Sequence, residues 1–297
     1  MFFPRIICVY CSLEVLLSSV CLLACSERSN PVSEHLVQRI YRARADMDIE
    51  SFEQLLLELE TTTCDHDECA IVSYYLSFIH FNIAVHYFNC SERDQSFAHL
   101  EEALRHIDQS LCFQATADAY ILKAHGLDFH VLFEPQRTAD FMRSMWQCLG
   151  QAAHLEPNNP RLYLVKGLHY YFAPSYAGGD RQRAKECLKK AVQLFISEDQ
   201  QTKAYPRWGY EDALAWLGQI AVHEDSLDLA VYYYNQALLF NKNFNWIKDE
   251  LLPQARDKFT MNSSLATGAV QFIALASFVL LFFSIVFWII KIKFIRI

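Results

Sequence analysis

Glycine and proline are scarce, with eight of each in 297 residues. An all-β sandwich needs more of them for its turns, and a disordered chain is usually richer in both. A long basic run is missing outside the extreme C-terminus, and the formal net charge is −8. Phosphate backbones need clustered Lys and Arg, which argues against nucleic acid as a partner. Gly178-Gly179-Asp180 lacks the Lys-Ser/Thr ending and the preceding strand of a phosphate loop. No second Cys/His cluster stands at zinc-finger spacing, so no metal is expected. Ser/His/Asp or Cys/His catalysis has no local signature, and no glycine-rich turn surrounds any cysteine. The sequence therefore offers no catalytic residue and asks for no cofactor. What is there is a chain that is 53% hydrophobic and long enough for one sizeable core plus extra segments.

The two ends differ from the middle. Residues 6–24 are apolar except for Glu14 and read as a secretory signal whose apolar part is Val15–Ala24. Leu22-Leu23-Ala24-Cys25 resembles a bacterial lipobox, which implies a lipidated Cys25 as mature N-terminus. Ordinary cleavage near Ala24 or Ser26 and an uncleaved anchor are the alternatives. Residues 1–25 are thus taken as a signal or lipobox segment. At the other end, 265–290 holds no charged residue, and Lys291, Lys293 and Arg296 follow in a short tail, 291–297. At about 1.5 Å per residue, Ala269–Ile290 spans roughly 33 Å, the thickness of a bilayer's hydrocarbon. A basic tail favours the cytoplasmic side. Together the ends predict a membrane-anchored protein whose middle faces the periplasm or another non-cytosolic space. Cys64 and Cys69 stand close enough in sequence to pair in such an oxidising space.

The middle, 31–260, reads as consecutive amphipathic helices with short breaks. Residues 32–44 and 48–61 form a first pair, the second with Phe52, Leu55, Leu56 and Leu59 on one face. Cys69–Phe88 is apolar all round and should be buried, with Asp65, Asp67 and Glu68 at its positive end. Helices follow at about 94–111, 115–133 and 137–154. Pro157 stops the last, and the chain restarts after Pro160. A pair spans 160–195, lengthened at its turn by Pro174–Asp180, where Asp180 should cap the second helix. The polar stretch 197–210 reads as a loop. A further pair spans 211–242, and 244–259 forms a last helix.

Within 211–242, Leu214, Leu217, Gly218 and Ala221 carry a large, apolar, small, apolar packing register, followed by small–large–small at Ala230, Tyr234 and Ala237. Ala184, Leu188 and Ala191 repeat part of it, and Ala152 with Pro157 fits the end of an earlier unit. In this register the chain resembles the tetratricopeptide-repeat (TPR) family, whose units are helix hairpins of about 34 residues. The signature is clear over about a third of the chain. Lys166, Lys242 and the Gly178-Gly179 insertion depart from it. The resemblance implies an all-α, helical-hairpin solenoid, here with an added C-terminal transmembrane helix. It also implies a concave groove lined by Arg161, Leu164, Leu168 and Tyr171 in one unit. In the next unit the lining is Asp212, Ala215, Gln219 and Val222. Such proteins are usually binding surfaces without chemistry of their own.

Two local clusters have plainer explanations. Cys64-Asp-His-Asp-Glu-Cys69 is an acidic helix start. His80 and His86 lie outside the i,i+4 spacing for a shared metal and read as satisfied interior residues. The expected function is a non-enzymatic, membrane-tethered adaptor that binds another envelope protein or peptide. The alternative is an accessory small-molecule-binding component of a solute transporter. A third class, an assembly factor for thiol or haem proteins, would need accessible free Cys64 and Cys69. Neither the partner nor the oligomeric state is encoded legibly.

Overall fold

The computed structural model describes residues 32–198 and 206–260, and these are helical with no strand among them. The segments read as signal, Cys25, membrane span and basic tail lie outside the described residues. In chain order the helices are α1 (Glu34–Asp46), α2 (Ile49–Glu60), α3 (His66–Asn89), α4 (Arg93–Phe113) and α5 (Ala117–His130). After them come α6 (Thr138–Leu155), α7 (Pro160–Phe172), α8 (Arg181–Ser197), α9 (Tyr210–His223) and α10 (Leu227–Phe240). A π-helical turn, Trp246–Leu251, leads into a last helical stretch, 252–260.

Two compact units are present, one formed by residues up to Ile40 with Glu50–Ala115, the other by Tyr41–Ile49 with Thr116 onward. In the first, α3 and α4 pack lengthwise. Ser96 donates to the Ala84 carbonyl at 2.7 Å, and Ser110 donates to the Ala70 carbonyl at 2.8 Å. The partners run in opposite order along the chain, so the two helices are antiparallel. A capping box sets the start of α3, since Asp65 accepts from the Glu68 amide and Glu68 accepts from the Asp65 amide. Among the described residues, Glu68–Asn89 is long and apolar enough to cross a membrane, but 72% of its most apolar window is buried inside the protein. It is a core helix, as its even coat of apolar side chains predicts. Phe52, Leu55, Leu56 and Leu59 of α2 are buried too.

The second unit is built from successive helix pairs, α5 with α6, α7 with α8 and α9 with α10, and α8 also packs on α9. Asp118 meets Asn159 at 2.8 Å and Asp128 meets His169 at 2.9 Å, each pair 41 residues apart. Equal offsets at both ends mean that α5 and α7 run side by side in the same direction. The caps are local: Thr116 for α5, Asn159 with Pro160 for α7, and Asp180 for α8. Before Asp180, Gly178 takes a left-handed conformation (φ 96°) that closes the inserted turn.

Small residues decide how closely the last pair approaches. A Cβ on Gly218 would lie 2.2 Å from Cε1 of the buried Tyr234. Ala221, Ala230 and Ala237 are buried around the same ring, and Phe244, Ile247, Leu251, Leu252 and Ala255 extend that core. The stretch read as a loop before α9 is non-helical at its described ends, and its second end is buried. Pro206 and Trp208 are buried, and α8 ends at Ser197 as expected.

Candidate binding site

The inward face of the second unit is closed by its own chain. Arg161 on α7 is fully buried. Its guanidinium donates to both Glu198 oxygens, at 2.9 and 3.2 Å, and to the Pro206 carbonyl. It also lies over the Phe195 and Trp208 rings. Trp208 in turn stacks on His125 of α5. Burial holds His125 neutral, with its pKa lowered to about 4. Leu164 and Leu168 are buried, and Leu164 packs beneath Gly209, whose φ of 113° suits glycine.

At α9 the end of α1 fills the same role. Arg44 donates to both Asp212 oxygens at 2.6 Å and to Glu211 at 3.2 Å. The Tyr41 hydroxyl accepts from the Arg207 amide at 2.8 Å. Burial works against the Arg44 cation, but Asp212 and Glu211 hold its pKa above the ordinary value. Glu211 is pushed up to about 7, by burial first and then by the Asp212 charge. Its Oε2 is buried without a hydrogen-bond partner.

Of the residues expected to line the groove, Arg161 and Asp212 hold other parts of the chain, and Leu164 and Leu168 are buried. Gln219 donates to the Tyr234 hydroxyl at 3.1 Å and serves the last helix pair. The covering segments lie far away in sequence, so register could not announce them.

Tyr171 differs. It is half-buried at the end of α7 and belongs to a continuous aromatic strip. Its ring centre lies 5.1 Å from that of Trp216, which lies 4.8 Å from Phe172 and 5.3 Å from Trp246. The rings meet tilted or edge to face, the favourable arrangement for aromatic pairs. At the margin the Tyr171 hydroxyl and His223 Nε2 are 3.0 Å apart. Burial raises the Tyr171 pKa, against the nearby Arg181 cation. Phe172 is 61% exposed. The sequence singled out Tyr171, and it missed Trp216 and Trp246. Tryptophans at non-packing register positions were the available signal.

An open depression of about 410 Å³ also lies between the Glu156–Pro160 turn and Leu194–Glu198. Cys64 and Cys69 are joined as a disulfide, which counts against a thiol-handling role. Of the other described cysteines, Cys90 and Cys112 are exposed, Cys148 is buried and Cys187 is half-buried. Burial raises the Cys187 thiol pKa, which makes it less nucleophilic.

The described residues, successive helix pairs with a partly exposed aromatic strip, form an all-helical structure compatible with a binding role. Neither a protein-family model nor a curated protein matches the chain. Among solved structures it is similar to the HusA haemophore from Porphyromonas gingivalis, at 18% identity and a TM-score of 0.47. That match covers 62% of this chain and 92% of the other. A likeness of this degree carries no functional argument.

Proposed function

We propose that this chain is a TPR-type adaptor, exported and tethered to a membrane, that captures an apolar extended segment of another envelope protein. The Tyr171–Phe172–Trp216–Trp246 strip is the docking surface, and its partial exposure is the observation that supports this assignment. Four rings offer broad apolar contact at low entropic cost, with one Tyr–His edge to orient a backbone group. The strip carries no fixed charge of its own, which suits a neutral, proline- or aromatic-containing segment better than an acidic one. Tethering is supported by the uncharged stretch 265–290 with its basic tail, 291–297. Export is supported by the apolar N-terminus and by the Cys64–Cys69 bridge, which suits an oxidising space. Tethering raises the effective concentration of the partner near the membrane, and no chemistry is assigned to the chain itself.

The test is a photo-crosslinking amino acid at position 172, irradiated in native membranes, with mass spectrometry of the purified adduct. Recovery of one envelope protein, lost in the Trp216→Ala variant, is the expected result. Cytosolic adducts would overturn the orientation. A small molecule as the main adduct would favour the transporter-accessory alternative, whose ligand could sit in the depression beside Glu156–Pro160.

A further inference from the structure

A second constellation lies in the first unit. His80 of α3 and His106 of α4 are both buried, and their rings stack with centres 5.5 Å apart. Glu60, the last residue of α2, reaches the same place from outside. One ligand atom each from Glu60, His80 and His106 lies within 4.8 Å of the others. His99 adds a third imidazole, its Nδ1 2.9 Å from Nδ1 of His80. The nitrogen left to His80 is therefore Nε2. His106 Nδ1 is buried with no hydrogen-bond partner, and buried polar atoms normally find one.

The geometry points to a divalent metal site formed by Glu60, His80 and His106, of the borderline kind that imidazole prefers, with Zn²⁺ as the first candidate. Two imidazoles and a carboxylate match a zinc ligand set, whereas Mg²⁺ and Ca²⁺ want an all-oxygen shell. Tetrahedral ligands about 2.0–2.1 Å from zinc stand roughly 3.4 Å from one another. Closing the triad to that spacing needs only a small inward swing, which the exposed Glu60 side chain is free to make.

The surroundings favour the ligand form of each ring. Burial first, then His99 and His106, lowers the His80 pKa to about 4, so the ring is neutral at physiological pH. Burial, helped by Arg105 and opposed by Glu102 and Gln109, lowers His106 as well. His99 orients His80 through the 2.9 Å contact between their Nδ1 atoms, and the Arg105 guanidinium lies 2.7 Å from His106 Nε2. The metal would tie the end of α2 to α3 and α4, across the connection that also carries the Cys64–Cys69 bridge.

The experiment is a Zn²⁺ titration of the full chain, purified in detergent and stripped with chelator. Expected are one bound equivalent and a raised melting temperature. His106→Gln and Glu60→Gln should each weaken affinity by at least about tenfold, while the exposed His154→Gln leaves it unchanged. Absence of saturable binding, or equal affinity in the His80→Gln/His106→Gln double variant, overturns the site. X-ray absorption at the zinc edge of the unaltered protein decides independently of variant folding. Two or more imidazoles with no sulfur supports the assignment, and a sulfur-ligated or single-imidazole zinc refutes it.

Discussion

The Arg161 guanidinium is wholly buried and holds both oxygens of the Glu198 carboxylate, 37 residues further along the chain. It thereby joins the start of α7 to the end of α8, and through the Pro206 carbonyl it also fixes the segment before α9. A residue that register would place on a recognition surface works as an internal clamp.

Removing one side of this clamp should be costly, because the other charge loses its two-pronged partner in a largely buried setting. Arg161→Ala is expected to lose about 3–5 kcal/mol of stability, as broken buried ion pairs do. Denaturant unfolding followed by circular dichroism measures it. A loss below about 1 kcal/mol would mean that Glu198 escapes to solvent and that the clamp is ornamental.

Glu211 sets a pH dependence of definite sign. Its pKa rises from 4.5 to about 7 on folding. Between those values the folded chain keeps a proton that the unfolded chain releases, so this residue makes stability fall as pH rises. His125 and His80 act in the opposite direction. Both drop from 6.5 to about 4 on folding, so their contribution is lost as pH falls through that window. Glu211→Gln removes only the first effect. Melting temperatures of both proteins between pH 4.5 and 7.5 should diverge in favour of the variant as pH rises. A constant difference would show that Glu211 ionises normally.

Gly218 and Tyr234 should be energetically coupled. An added methyl at Gly218 collides with the Tyr234 ring, so Gly218→Ala is expected to cost about 1–3 kcal/mol. In a Tyr234→Leu background the ring is gone and the penalty should shrink. A double-mutant cycle reads the difference directly. Additive costs would place the two residues apart.

Much of the secondary structure was legible because its signals are local. Asp65, Asn159, Pro160 and Asp180 start their helices through contacts within a few residues. The apolar period marked the buried face of α2, and of α4 only Leu100 and Ile107. The candidate sites were legible only in fragments. Tyr171 was noticed, yet its companions Trp216 and Trp246 join it from later elements. His80 was compared with His86, a neighbour on the same helix, when its real companions are His99 and His106 on the next.

By itself the amino-acid order determined that this protein is helical, where the helices begin, and that small residues such as Gly218 would let a pair approach closely. Caps, proline and side-chain periodicity act over one or two turns, so they survive without knowledge of the rest. Tertiary structure alone decided which faces stayed open. Arg44 reaches Asp212 across 168 positions, and Tyr41 meets Arg207 across 166. Such contacts depend on where distant segments come to rest, and burial is a property of the assembled chain, which no local pattern contains.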